Sequence, residues 1–181
     1  MKKFLVTFFI FVTLSVSHAF AYNLKAFSSD ATILSAMQLL EQNGEQDIFN
    51  NLRRNAVKIK FYNFSMGNVY AANSYDNYGR RLILISSAYR NAPIEQIACL
   101  IAHESCHIAR KATLEEETIA TSKEALCWNK LKKPGVIYPQ TKLTKRLNNL
   151  AELHVESIQD GNDYIGDRIA SSSFYRAQFN L

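Results

Sequence analysis

His103-Glu104-Ser105-Cys106-His107 sets two imidazoles four residues apart with a carboxylate beside the first. On a helix, residues i and i+4 stack on one face about 6 Å apart, so both rings can bind a single zinc ion. Glu104 then stands about 100° round the helix from His103, beside the metal without being aimed at it. A base must stand there to take a proton from a water on the zinc. The spacing therefore points to metal-assisted hydrolysis, with His103 and His107 as ligands and Glu104 as general base.

A catalytic zinc takes three protein ligands and keeps one position open. A third histidine six residues after the second, preceded by a glycine, is excluded because Arg110 and Thr113 occupy those places. The other source is a carboxylate from the next helix, which opens with Glu115-Glu116-Glu117. Thr113-Leu114-Glu115-Glu116 is a capping box, making Thr113 the N-cap and turning Glu116 back toward the helix start. That leaves Glu117 to face the neighbouring helix, on the side of Ala120, Thr121 and Glu124. Compensation of the helix dipole explains Glu115 and Glu116 without explaining Glu117. Glu117 is the expected third ligand and Glu116 its competitor.

The elements that must hold these groups follow from periodicity. Ser28-Ser29-Asp30 offers a cap for a helix whose Ile33, Ala36, Met37 and Leu40 share a face until Asn43-Gly44 ends it. Ile48, Phe49 and Leu52 mark a second short helix. Val57 to Phe61 alternates apolar and polar, Val69 to Ser74 follows a turn at Ser65-Met66-Gly67-Asn68, and Leu82 to Ile85 follows Asp76-Asn77-Tyr78-Gly79. These three strands are expected to form an antiparallel meander. From Pro93 the chain turns helical. One helix is expected to run to Ala109, a second from Thr113 to about Lys133, and a third from about Lys142 to Gln159 before Gly161. Residues 162–181 suggest one more short helix and a tail. The expected fold class is α+β, a single domain spanning residues 22–181.

The span from about Leu82 to Trp128 resembles the core of the gluzincin zinc metallopeptidases, with a strand, an HExxH helix and a second helix that supplies a glutamate ligand. In the minimal variant with E-x-x-A-D on that helix, Glu117-Thr118-Ile119-Ala120-Thr121 matches at the Glu and the Ala, with Thr121 where Asp is usual. The resemblance implies a zincin-like fold, a peptidase that cleaves peptide or protein substrates, and Zn2+ on His103, His107 and Glu117. It also implies that Leu82 to Ile85 lies along the substrate backbone by strand addition. Peptidases of this type use a His or Tyr to stabilise the tetrahedral oxyanion. His154 is the candidate, with Tyr138 and Tyr164 as competitors. His154 shares a helix face with Leu143, Leu147, Leu150 and Ile158, which equally suits a core histidine. A zinc-binding interaction domain that retains the site without turnover is the alternative, favoured by Thr121 and by the small size of the chain.

The 181 residues carry a formal net charge of +5, and five of the eleven Phe fall within the first 21. Lys2-Lys3, the apolar stretch Phe4 to Val16 and Ala19-Phe20-Ala21 read as a signal peptide cut after Ala21. The apolar stretch is shorter than the roughly 20 residues of a spanning helix. Export to the periplasm or outside the cell is expected, with no stable membrane insertion after cleavage. Removing two lysines leaves +3, which does not suggest a nucleic-acid partner. The cations between Lys130 and Arg146 read as a solvated face. Export would expose Cys99, Cys106 and Cys127 to oxidising conditions. If His107 and Glu117 meet at one zinc on antiparallel helices, Cys99 and Cys127 lie at similar depths, about 12 and 15 Å along them. A Cys99–Cys127 disulfide with Cys106 free is the expected arrangement, against three buried thiols.

Overall fold

Asp30 Oδ1 accepts from the amides of Thr32 (3.0 Å) and Ile33 (3.3 Å), starting α1 (Ala31–Gln42) where the Ser-Ser-Asp run predicts it. This computed structural model describes residues 22–67, 69–107, 109 and 112–179. The expected signal segment, Asn68 of the first turn and Arg110 lie outside the described residues. Gly44, at φ 75°, turns the chain into α2 (Gln46–Arg54). Then come β1 (Lys58–Tyr62), β2 (Ala71–Tyr75), β3 (Arg81–Ser86), α3 (Ile94–Cys106) and α4 (Leu114–Leu131). The chain continues with α5 (Lys142–Asp160), α6 (Tyr164–Ser171) and α7 (Ser173–Phe179). The class is α+β.

The sheet is not the expected antiparallel meander. Its order is β1-β3-β2, with β1 parallel to β3 (Lys58 opposite Leu82) and β2 antiparallel to it (Ala71 opposite Ile85). The physical reason lies in β3, whose Leu82-Ile83-Leu84-Ile85 is apolar on both faces. Such a strand belongs at the centre of a sheet. The connection from β1 to β2 therefore carries β2 to the far side of β3, and β1 and β2 never pair. The strand expected to receive a substrate has both edges taken, by β1 and β2, which are the edge strands of the sheet.

Helix α3 is the hub. Ile97, Ile101 and Cys99 are fully buried against Ile33, Met37, Ile83, Ile85, Trp128 and Leu147. Its expected run to Ala109 stops at Cys106, and His107 takes extended backbone at φ −71° and ψ 116°. The cause is at Glu104. Its carbonyl, which a longer helix would give to an amide one turn on, accepts instead from Asn73 Nδ2 (3.1 Å) and Arg81 Nη2 (2.9 Å). The sheet thus ends the helix at the motif.

Residues 162–181 form more than a short helix and a tail. Ile165 and Ile169 of α6 bury against Ala125 of α4 and Leu150 of α5, and Tyr175 of α7 packs on the same cluster. This second small core brings the last helices over α4. Among the described residues no helix is long and apolar enough to cross a membrane.

Candidate metal centre

His103 sits in the last turn of α3 and His107 one residue past it, both buried, with ring nitrogens Nε2 and Nε2 3.3 Å apart. Glu117, in the first turn of α4, places Oε2 3.8 Å from His103 Nε2 and Oε1 3.6 Å from His107 Nε2. Among the described residues, this trio brings His and carboxylate ligand atoms within 4.8 Å of one another. A tetrahedral zinc with nitrogens at 2.0–2.1 Å holds neighbouring ligand atoms about 3.3–3.4 Å apart. The imidazole pair meets that spacing, and the carboxylate is a few tenths of an ångström wide of it. The residues fit the ion that their types suggest.

Behind His103, Glu124 Oε2 faces Nδ1 at 3.0 Å. Arg146 holds the same carboxylate through Nε (3.1 Å) and Nη2 (2.7 Å). Burial would raise the Glu124 carboxyl, but Arg146 and His103 overcome it and bring it down to about 2. Burial likewise works to lower His103, and Glu124 outweighs it, so that imidazole titrates above its ordinary value. His107 is lowered by burial and by His103 beside it, which keeps it neutral, the form that binds metal. Thr121, which stands where the resemblance calls for Asp, has a buried hydroxyl with no hydrogen-bond partner among the described residues. Glu124, seven residues beyond Glu117 on the same helix face, holds the histidine instead.

Glu104 is buried beside the trio without joining it. Asn73 Nδ2, from β2, donates to Glu104 Oε2, and Arg81 Nε donates to Asn73 Oδ1 at 2.7 Å. Burial pushes the Glu104 carboxyl up to about 7; Glu117 and Glu124 add to the effect, while His103 and Asn73 oppose it. Against Glu104, Glu117 and Glu124, the protein sets the buried or half-buried cations Arg81 and Arg146.

No protein family, curated protein or solved structure matches the chain.

The remaining sequence candidates fall elsewhere. Glu116 Oε1 accepts from the Ala109 amide (3.2 Å), and Oε2 stands 3.7 Å from His107 Nδ1, behind the ring. His154 is half-buried in the wall of a surface groove with Cys106, Glu115, Ile119 and Leu126, and no hydrogen bond or ion pair joins it to the trio. Its inward direction fails because Ile158, one turn on, is 71% exposed. Tyr138 is structural: its ring packs on Trp128 at 4.8 Å, and its Oη accepts from the Lys133 amide. Tyr164 donates to Asp160, on the outside of α5. The phenol at the site is Tyr175 of α7, raised by burial and by the nearby Glu117 carboxylate. No local pattern in residues 162–181 marked it, because its place depends on how α6 folds back on α4.

All three cysteines are free. Cys99 and Cys127 are both buried and act on each other across the α3–α4 interface, so the expected juxtaposition occurs while the expected bridge is not formed. Cys106 Sγ donates to the Ala102 carbonyl, and burial pushes its thiol up to about 11.

Proposed function

We propose that this chain is an exported zinc-dependent peptidase of zincin-like design, acting on peptide or protein substrates, with Zn2+ held by His103, His107 and Glu117. The observation that carries this reading is the convergence of His103 Nε2, His107 Nε2 and the Glu117 carboxylate, with a buried Glu104 beside them. Zinc, when bound, supplies Lewis acidity that acidifies a water and polarises a carbonyl. Glu104 takes the proton that the attacking water gives up, and a carboxyl near 7 is matched to that task at neutral pH. Asn73 and Arg81 fix the direction of Glu104 from the sheet. Glu124 keeps the proton of His103 on Nδ1 and so frees Nε2 for the metal.

The edge strand β2 supports a peptide substrate. An extended segment adding to it would run past Asn73 and hence past Glu104, the place that β3 cannot offer. Tyr175 takes over from His154, Tyr138 and Tyr164 as the candidate donor to the oxyanion. The reading is tested by metal analysis of the purified chain with a time course on an unfolded casein-like protein, with and without chelator. One zinc per chain and chelator-sensitive cleavage support it. Absence of zinc overturns it, and zinc without cleavage moves the chain to the non-catalytic interaction domain.

A further inference from the structure

The α4–α5 connection carries a feature that the metal centre does not use. From Ala125 to Ala151 the chain has six cations and no acidic residue. In the middle of that run, Val136 is 50% exposed and Ile137 is 93% exposed, the most exposed large apolar side chain among the described residues. This tip is not a loose loop. Gly135 turns it at φ 75°, and Tyr138 anchors it by packing on Trp128 and accepting from the Lys133 amide (3.0 Å). Thr141 then caps α5 through the Thr144 amide. The fold holds two apolar side chains out in water between exposed lysines.

We infer that this loop docks on an anionic lipid surface, with Val136 and Ile137 entering the boundary between headgroups and acyl chains, and Lys132, Lys133 and Lys145 meeting the headgroups. Charge complementarity favours this occupant. Arg146 is engaged by Glu124, Lys130 by Glu45 and Lys133 by Glu95, yet Lys133 remains 61% exposed, and Lys132 and Lys145 are exposed as well. Size favours it too. A stable protein interface covers about 800 Å² of each partner, far more than a two-residue tip supplies, whereas an interfacial anchor needs only a few ångströms of depth. A second copy would bring like charges together. Glu152 and Glu156 border the groove beside the tip, with Val155 between them, and they set the orientation by keeping that face of α5 away from the lipid. Fourteen residues of α4 separate Leu131 from Glu117, about 21 Å along the helix, so docking leaves the metal centre clear. The inference does not depend on what that centre does.

The test uses the full chain and vesicles of phosphatidylcholine, alone or mixed equally with phosphatidylglycerol. Residues 1–21 contain an apolar run of their own, so the readout is local. In Ile137→Trp, the added indole should shift to the blue and be quenched by brominated acyl chains on the anionic vesicles. Trp128, buried in every variant, gives the background. Reversing Lys132 and Lys145 to Glu in that variant, or raising the salt, should weaken the response about tenfold or more. In co-sedimentation, Ile137→Asp should bind anionic vesicles at least about tenfold less than the unaltered chain. No response on either vesicle would overturn the proposal, as would an equal response on neutral vesicles. A shift that follows protein concentration instead of lipid would assign the tip to self-association and also overturn it.

Discussion

Glu124 Oε2 lies 3.0 Å from His103 Nδ1, with Arg146 gripping the same carboxylate from the other side. On the proposed zinc reading this contact holds the His103 proton on Nδ1 and leaves Nε2 to the metal, while Arg146 stops the buried carboxylate from taking the proton. Glu124→Gln should keep the fold and weaken zinc by about 10–100-fold, the usual effect of losing a carboxylate behind a ligand histidine. Competition with a chromogenic chelator measures it. Zinc affinity unchanged in Glu124→Gln would show that Nδ1 is held by something else.

The two candidate third ligands separate by position. Glu117 faces both Nε2 atoms, while Glu116 reaches the Ala109 amide and the far side of His107. Glu117→Ala should lose zinc almost completely at concentrations where Glu116→Ala retains it, with a loss of about tenfold or less in the latter. Equal loss from both changes would remove the assignment.

Much of this arrangement was legible in local pattern. Asp30 and Thr113 each cap a helix where the sequence offers one, and the capping box already separated Glu116 from Glu117. What escaped was set by pairing over distance. The β3 run read as a strand, but its apolarity on both faces also meant that it sits centrally, and this places β1 and β2 on opposite sides. The end of α3 at Cys106 depends on Asn73 and Arg81, some 30 and 20 residues upstream, which take the Glu104 carbonyl. Tyr175 reaches Glu117 only because Ile165 and Ile169 fold α6 onto α4.

Glu45 ties α4 to the α1–α2 turn. It is buried and accepts from Lys123 and Lys130, each at 2.8 Å. Burial would raise its carboxyl, and the two lysines overcome this and hold it below the ordinary 4.5. A group with a depressed folded pKa stabilises the protein above its unfolded value and loses that contribution as pH falls below it. Glu45→Gln should therefore lower the melting temperature at neutral pH, and the difference should close as pH falls from about 5 toward 3. Thermal melts across that range check the sign. A gap that stays constant in acid would mean that Glu45 stabilises by packing alone.

Cys99 and Cys127 are buried free thiols that act on each other across the α3–α4 interface. Under a disulfide oxidant such as oxidised glutathione, the two thiols should link while Cys106 remains alkylatable. Closing a loop of this length should stabilise the chain by about 3.6 kcal/mol on the chain-entropy account. Non-reducing peptide mapping and melts with and without reductant report both quantities. A bridge involving Cys106 would contradict the α3–α4 pairing.

The central claim is that Glu104, held by Asn73 beside the His103–His107–Glu117 trio, is the base of a hydrolytic reaction. Glu104→Gln nearly preserves the shape, and its amide still sits within reach of Asn73, so fold and zinc content should match those of the unaltered chain. It cannot accept a proton, and general-base catalysis is typically worth 10²–10⁴-fold. The decisive measurement is therefore the cleavage rate of an unfolded casein-like protein by both forms at matched zinc content. A fall of at least about a hundredfold in Glu104→Gln with zinc retained is the predicted result. Cleavage at the unaltered rate would contradict the account.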